Sequence, residues 1–140
     1  MLPAMPDFPR LLARVARERL PAVLDSAGGP AVLAGVSLLA FDPFRVLVHA
    51  GGRTWTVDRE GRRTDLVGNP FSALRAELAR TCLGPARPGT PLQGGAAIGF
   101  LGYEMGHHVE RLPSAARRDL QLPDMYWAFY DSLMILDHAR

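Results

Sequence analysis

Apolar residues follow two different periods along this chain. After Pro9, Leu11, Leu12, Val15 and Ala16 recur at helical spacing with Arg10, Arg14, Arg17 and Glu18 between them, which predicts a short amphipathic helix ended near Leu20 by Pro21. A second helix is announced by Asn69-Pro70: the Asn side chain can accept from a first-turn amide, and Pro at the first helical position loses no hydrogen bond. Phe71, Leu74 and Leu78 then mark its apolar stripe to about Thr81. Elsewhere the pattern is that of strands. Residues 22–41 divide at Gly28-Gly29-Pro30 into a short strand and a second one through Val36 to Phe41. Phe44 to His49 and Arg53 to Asp58 flank Ala50-Gly51-Gly52, a glycine pair suited to the positive φ angles of a tight hairpin, and Glu60-Gly61 forms the next turn. An antiparallel meander is expected.

Two further strands are expected at Ala96 to Tyr103 and at Met125 to Leu136, beyond a loop from Gly84 to Pro91. The second carries Trp127, Phe129, Leu133 and Ile135 on one parity and Tyr126, Tyr130, Met134 and Leu136 on the other, as in a strand covered on both faces. The reading is therefore α+β, a mainly antiparallel sheet with flanking helices in a single domain of 140 residues.

Composition narrows the function classes. With 48% hydrophobic and 21% charged residues the chain is an ordinary globular sequence. Its formal net charge is +2, but the arginines are spread over residues 10–19, 53–63, 75–87 and 111–118 and do not form one basic face with interleaved aromatics. Nucleic-acid binding is therefore not expected. One cysteine, Cys82, excludes an internal disulfide and a thiolate zinc site, which reads as cytoplasmic. Pro3, Pro6 and Asp7 interrupt the start of the chain where a signal peptide needs a basic and then an apolar run, and no segment has the length of a membrane span.

Candidate chemistry is sparse. Gly94, Gly95, Gly99 and Gly102 interleave with Ile98, Phe100, Leu101 and Tyr103 as they would within a strand, so they mark close backbone approach and not a phosphate loop. His107 and His108 are adjacent, and adjacent side chains diverge on a helix or a strand, so no metal pair arises from them. Asp131, Asp137 and His138 could do acid/base work only if the fold brings them together. Ser26, Ser37 and Ser132 lack a nucleophile-elbow pattern. No catalytic and no metal-binding residue is assigned.

Several ordered motifs carry a resemblance. Val23-Leu24-Asp25-Ser26, Ala40-Phe41-Asp42-Pro43 and Asn69-Pro70-Phe71 with Leu74 are followed by Leu92-Gln93-Gly94-Gly95-Ala96 and Gly102-Tyr103-Glu104. Glu110-Arg111-Leu112-Pro113, Leu122-Pro123-Asp124-Met125 and Tyr130-Asp131 leading to Asp137-His138 complete the series. In this order they resemble the amino-terminal region of the chorismate-utilising synthases, component I of aminodeoxychorismate synthase and of anthranilate synthase. Gly106 after Gly-Tyr-Glu-Met is similar to the aminodeoxychorismate branch.

The resemblance implies that the region forms part of a layered α/β/β/α sandwich. It further implies a whole protein that aminates chorismate, with magnesium as cofactor and ammonia from a glutamine amidotransferase subunit or fused domain, on the route to para-aminobenzoate and folate. The magnesium ligands and the chorismate site would lie in a half of the family outside this chain, leaving residues 1–140 inactive alone. Anthranilate synthase and a stand-alone ligand-binding or interaction domain are the alternatives. A tryptophan effector pocket is also implied, with Ser26 matching the family's serine and Leu33, Ala34, Gly35 and Val36 standing where the family has an arginine- and aromatic-containing run. The other reading of Ser26 is a hydrogen bond to the backbone at the Gly28-Gly29-Pro30 turn.

Overall fold

The computed structural model describes residues 8–26, 35–81, 95–111, 113 and 120–137. Within them lie α1 (Phe8–Val15), β1 (Ala22–Leu24), β2 (Val36–Ala40), β3 (Arg45–Ala50), β4 (Arg53–Asp58), β5 (Arg63–Leu66), α2 (Pro70–Thr81), β6 (Ala96–Leu101), β7 (Met125–Tyr130) and β8 (Leu133–Asp137). A 3₁₀ helix, Tyr103–His108, follows β6. The strands form two antiparallel sheets, β1-β2-β8 and β5-β4-β3-β7-β6.

The expected strand from Met125 to Leu136 is therefore two strands in different sheets. Asp131-Ser132 breaks it: β7 pairs with β3 and β6, whereas β8 pairs with β2. Large apolar residues on both parities reflect cover on both faces of each strand, as expected: β7 gives Met125 and Phe129 to one cluster and Ala128 and Tyr130 to another, and β8 divides Leu136 and Leu133 in the same way. The glycine hairpin is as expected, with φ of 56° at Gly51 and 74° at Gly52 joining β3 to β4.

Alternation along the strands builds the layers. Leu39 and Leu136 of the three-stranded sheet cluster with Val15 of α1, with Leu11, Leu12 and Met134 against them. On the opposite face of that sheet, Ala22, Ala40 and Leu133 pack onto Val46, Val48, Ala128 and Tyr130 of the five-stranded sheet. That sheet's far face contributes Leu47, Met125 and Phe129 to a cluster with Leu74 of α2 and with Met105. The order is α1, three-stranded sheet, five-stranded sheet, α2, an α/β/β/α sandwich of the α+β class.

Both helices differ in detail from their patterns. α1 stops at Val15, after which Arg17 and Glu18 amides bond three residues back, to Arg14 and Val15 carbonyls, and tighten the chain into 3₁₀-type turns. Arg19 then reaches the Asp42 carboxylate at 2.8 Å and the Pro43 carbonyl. α2 begins as expected, with the Phe71 amide donating to Asn69 Oδ1 at 2.9 Å, but its inward stripe is Pro70, Leu74 and Glu77, and Leu78 is exposed. Glu77 points inward because Arg45 of β3 lies on the facing sheet surface and pairs with it at 3.3 Å.

Where the chain passes between sheets it is tied by side chains. Arg59, in the turn after β4, binds Asp42 beyond β2 at 3.2 Å and Asp131 beyond β7 at 3.0 Å. The Tyr130 hydroxyl donates to the Leu20 carbonyl at 2.8 Å. Burial, helped by the neighbouring Tyr126 phenol, pushes the Tyr130 phenol up to about 12.

A Cβ at Gly99 of β6 would run into the Tyr126 carbonyl oxygen and lie 2.9 Å from the Trp127 ring, so no side chain fits without moving β7. Gly99→Ala should lower stability by about 2–3 kcal/mol in urea unfolding, more than Gly61→Ala, whose added Cβ meets open space and costs only the strain of a φ of 82°. A phenol raised in the fold keeps its proton after the unfolded one, which ionises near 10, has lost its own. Stability should therefore fall as pH rises from about 10 to about 12. Tyr130→Phe should lose about 1 kcal/mol at neutral pH, with its hydrogen bond, and show a weaker alkaline decline; pH-dependent denaturation measures both.

Candidate functional site

Of the residues assigned to an effector pocket, the structure brings Ser26 and Val36 together. Ser26 follows β1 and Val36 opens β2, and antiparallel pairing of Leu24 with Leu38 sets the two ends side by side. The Ser26 hydroxyl donates to the Val36 carbonyl at 2.6 Å. Its amide donates to Ser37 Oγ at 3.3 Å, and Ser37 in turn donates to the Asp25 carboxylate at 2.8 Å. Gly35 is half-buried beside them, while Leu33, Ala34 and the Gly28-Gly29-Pro30 turn lie outside the described residues. The hydroxyl of Ser26 thus serves the backbone, as one reading had it, but on the facing strand.

Ser37, in the sequence only a serine outside any nucleophile-elbow pattern, is the member of this group not assigned to the pocket. It is fully buried within an otherwise apolar strand. A lone hydroxyl flanked by Val36, Leu38 and Leu39 was the available signal, since a buried polar group needs partners and here finds Asp25 and Ser26. Chemically the cluster offers a carboxylate, two hydroxyls and a carbonyl, with exposed Leu24 and Val36 at its edge. Such groups suit an ammonium or another donor; they present no cation to a ligand carboxylate.

The other singled-out residues stay apart. His107 pairs with Glu104 at 3.0 Å, whereas His108 turns to His49 of β3, so the adjacent rings diverge as expected. Asp131 and Asp137 stand at opposite ends of β8, the former held by Arg59. Cys82, Gly94 and His138 lie outside the described residues. No group of three His, Cys, Asp or Glu side chains that could hold a metal occurs among the described residues, so these do not fit magnesium. Nor is any helix among them long and apolar enough to cross a membrane.

The fold is shared with a solved structure, anthranilate synthase component I from Streptococcus pneumoniae TIGR4, at a TM-score of 0.61 and 24% identity over 94% of this chain and 27% of that one. No protein-family model matches. Aminodeoxychorismate synthase component 1 of Escherichia coli is 37% identical over 104 residues, 74% of this chain and 22% of that protein. Anthranilate synthase component 1 of Acetivibrio thermocellus is 28% identical over 118 residues, 84% of this chain and 24% of that protein. Over most of its length, then, the chain is homologous to the chorismate-utilising synthase component I family, of anthranilate and aminodeoxychorismate synthases. It spans about a quarter of the length of the relatives it matches.

If Ser37 is the pivot of the Asp25–Ser26 cluster, Ser37→Ala should cost about 1–3 kcal/mol by leaving the part-buried Ser26 amide and the Asp25 carboxylate short of a partner. Ser26→Ala, which removes a bond at a partly exposed position, should cost less. Equal losses in thermal unfolding would contradict this ordering.

Proposed function

We propose that this chain is the amino-terminal layer of an aminodeoxychorismate synthase component I, which aminates chorismate with ammonia supplied by a glutamine amidotransferase partner. The observation that carries the choice of branch is Gly106, following Gly102-Tyr103-Glu104-Met105. Identity does not separate the two branches: it is 37% over 104 residues to the Escherichia coli aminodeoxychorismate relative and 43% over 72 residues to the anthranilate relative from Streptomyces coelicolor. Anthranilate synthase is the second reading, favoured by the longer stretch over which its relative aligns, 84% of the chain against 74%.

In this proposal the chain's own residues do not perform the amination. Magnesium, when bound to the whole protein, would neutralise the chorismate carboxylate, through ligands other than the described residues. This region supplies two sheets and the cluster of Asp25, Ser26 and Ser37 beside Val36, in the position of the family's effector pocket. Because Leu33, Ala34, Gly35 and Val36 stand where the family has an arginine- and aromatic-containing run, that pocket should hold an amino acid poorly, an unpaired buried charge being more costly than a missing apolar contact.

The full-length protein, given chorismate, ammonium and magnesium, should form aminodeoxychorismate, and the purified 140-residue chain should form none. Chromatographic identification of the product decides the branch, since anthranilate with pyruvate would establish the second reading. Calorimetry should show tryptophan binding weakly or not at all to the full-length protein, with activity unaffected. Tight stoichiometric binding abolished by Ser26→Ala would contradict the expected weak binding and show that residues other than Leu33 to Val36 rebuild the pocket.

A further inference from the structure

The 3₁₀ helix Tyr103–His108 is attached to the five-stranded sheet at three points. At its start the Gly102 amide donates to the Asp124 carbonyl at 2.7 Å, while the Asp124 amide donates to the His49 carbonyl at 2.8 Å. At its middle Met105 is buried among Leu47, Leu74, Met125 and Phe129. At its end His108 Nε2 lies 3.1 Å from His49 Nε2, with the rings edge to face at 84°. His49 is buried on β3, and its Nδ1 is 2.8 Å from Thr54 Oγ1 on β4.

Two imidazole nitrogens can share this contact only when one carries a proton and the other a lone pair. When both rings are fully protonated, N–H is set against N–H and two positive charges meet across the 3.1 Å contact, one of them on a buried ring. We propose that His49 and His108 form an acid-sensitive latch that holds the end of the Tyr103–His108 helix on the sheet, and that protonating both rings releases it. The charged groups around the pair are few among the described residues. The Glu104–His107 pair lies on the same helix. On β3, two side chains along the same face, Arg45 is engaged with Glu77 of α2. Asp124 precedes β7, is buried and has interactions of its own. β4 contributes the neutral Thr54.

The sign follows from proton counts. The closed latch binds at most one proton on the shared nitrogens, the open state up to two, so acid favours opening and neutral pH favours closure. Opening coupled to one proton changes its equilibrium by up to about tenfold per pH unit below the imidazole range, near 6.5 for the free side chain. Hydrogen exchange of the full chain, corrected for the intrinsic pH dependence of amide exchange, reads this at the amides of Gly102 and Asp124 and along the segment 103–110. Protection should fall about tenfold per pH unit on acidification. His108→Gln, at an exposed position, keeps a donor for His49 without a second titrating ring and should remove that acid dependence, whereas His107→Gln should retain it. An unchanged acid-dependent loss in His108→Gln, or protection in the parent chain that does not change with pH, would overturn the latch.

Discussion

The fold depends on how closely the two sheets can approach. Ala40 and Ala128 are both fully buried where the sheets meet, and Val46 and Tyr130 close around them. Small side chains at that crossing let one strand of each sheet lie against the other, and the chain must change sheets immediately beside it. It does so between β2 and β3, at Phe41 to Phe44, and between β7 and β8, at Asp131 and Ser132. The Asp42–Arg59–Asp131 bridge spans both changes. Exposed ion pairs of this kind add little energy on their own. Their effect is geometric: they hold two irregular backbone segments, one with Asp42 at φ 52°, in a single arrangement.

This account gives several motifs a physical content. Ala-Phe-Asp-Pro and Tyr-Asp are the two sheet changes, with Pro43 fully buried and Asp42 and Asp131 bound by one guanidinium. Leu-Pro-Asp-Met is the entry to β7, where Asp124 joins the His49 and Gly102 backbones. Gly-Tyr-Glu opens the 3₁₀ helix. Resemblance to the synthases over these residues is therefore a resemblance in how the layers are joined.

Most elements were legible because their signals are local. Asn69-Pro70 fixes the start of α2 through one hydrogen bond, and Gly51-Gly52 fixes the first hairpin through two positive φ angles. What escaped the sequence depends on distant partners. Asp131-Ser132 alone does not announce the break between β7 and β8, which is completed by β8 pairing with β2 and not β3. Glu77 reads as a solvent residue until Arg45 is placed across from it. In the candidate site Ser26 was visible as a motif residue, but Ser37 and the direction of the Ser26 hydroxyl follow from the β1–β2 register. The His49–His108 contact joins residues far apart in sequence and has no spacing signal at all.

The central claim is that the segment from Met125 to Asp137 serves two sheets. Cross-strand nuclear Overhauser contacts between backbone Hα and amide protons test it directly. The structure requires β7 contacts between Trp127 and Leu47 and β8 contacts between Ile135 and Leu38. Contacts that carry the Leu47–Trp127 register on past Asp131, setting Ile135 opposite Leu39 and not Leu38, would show one unbroken strand and contradict the two-sheet sandwich.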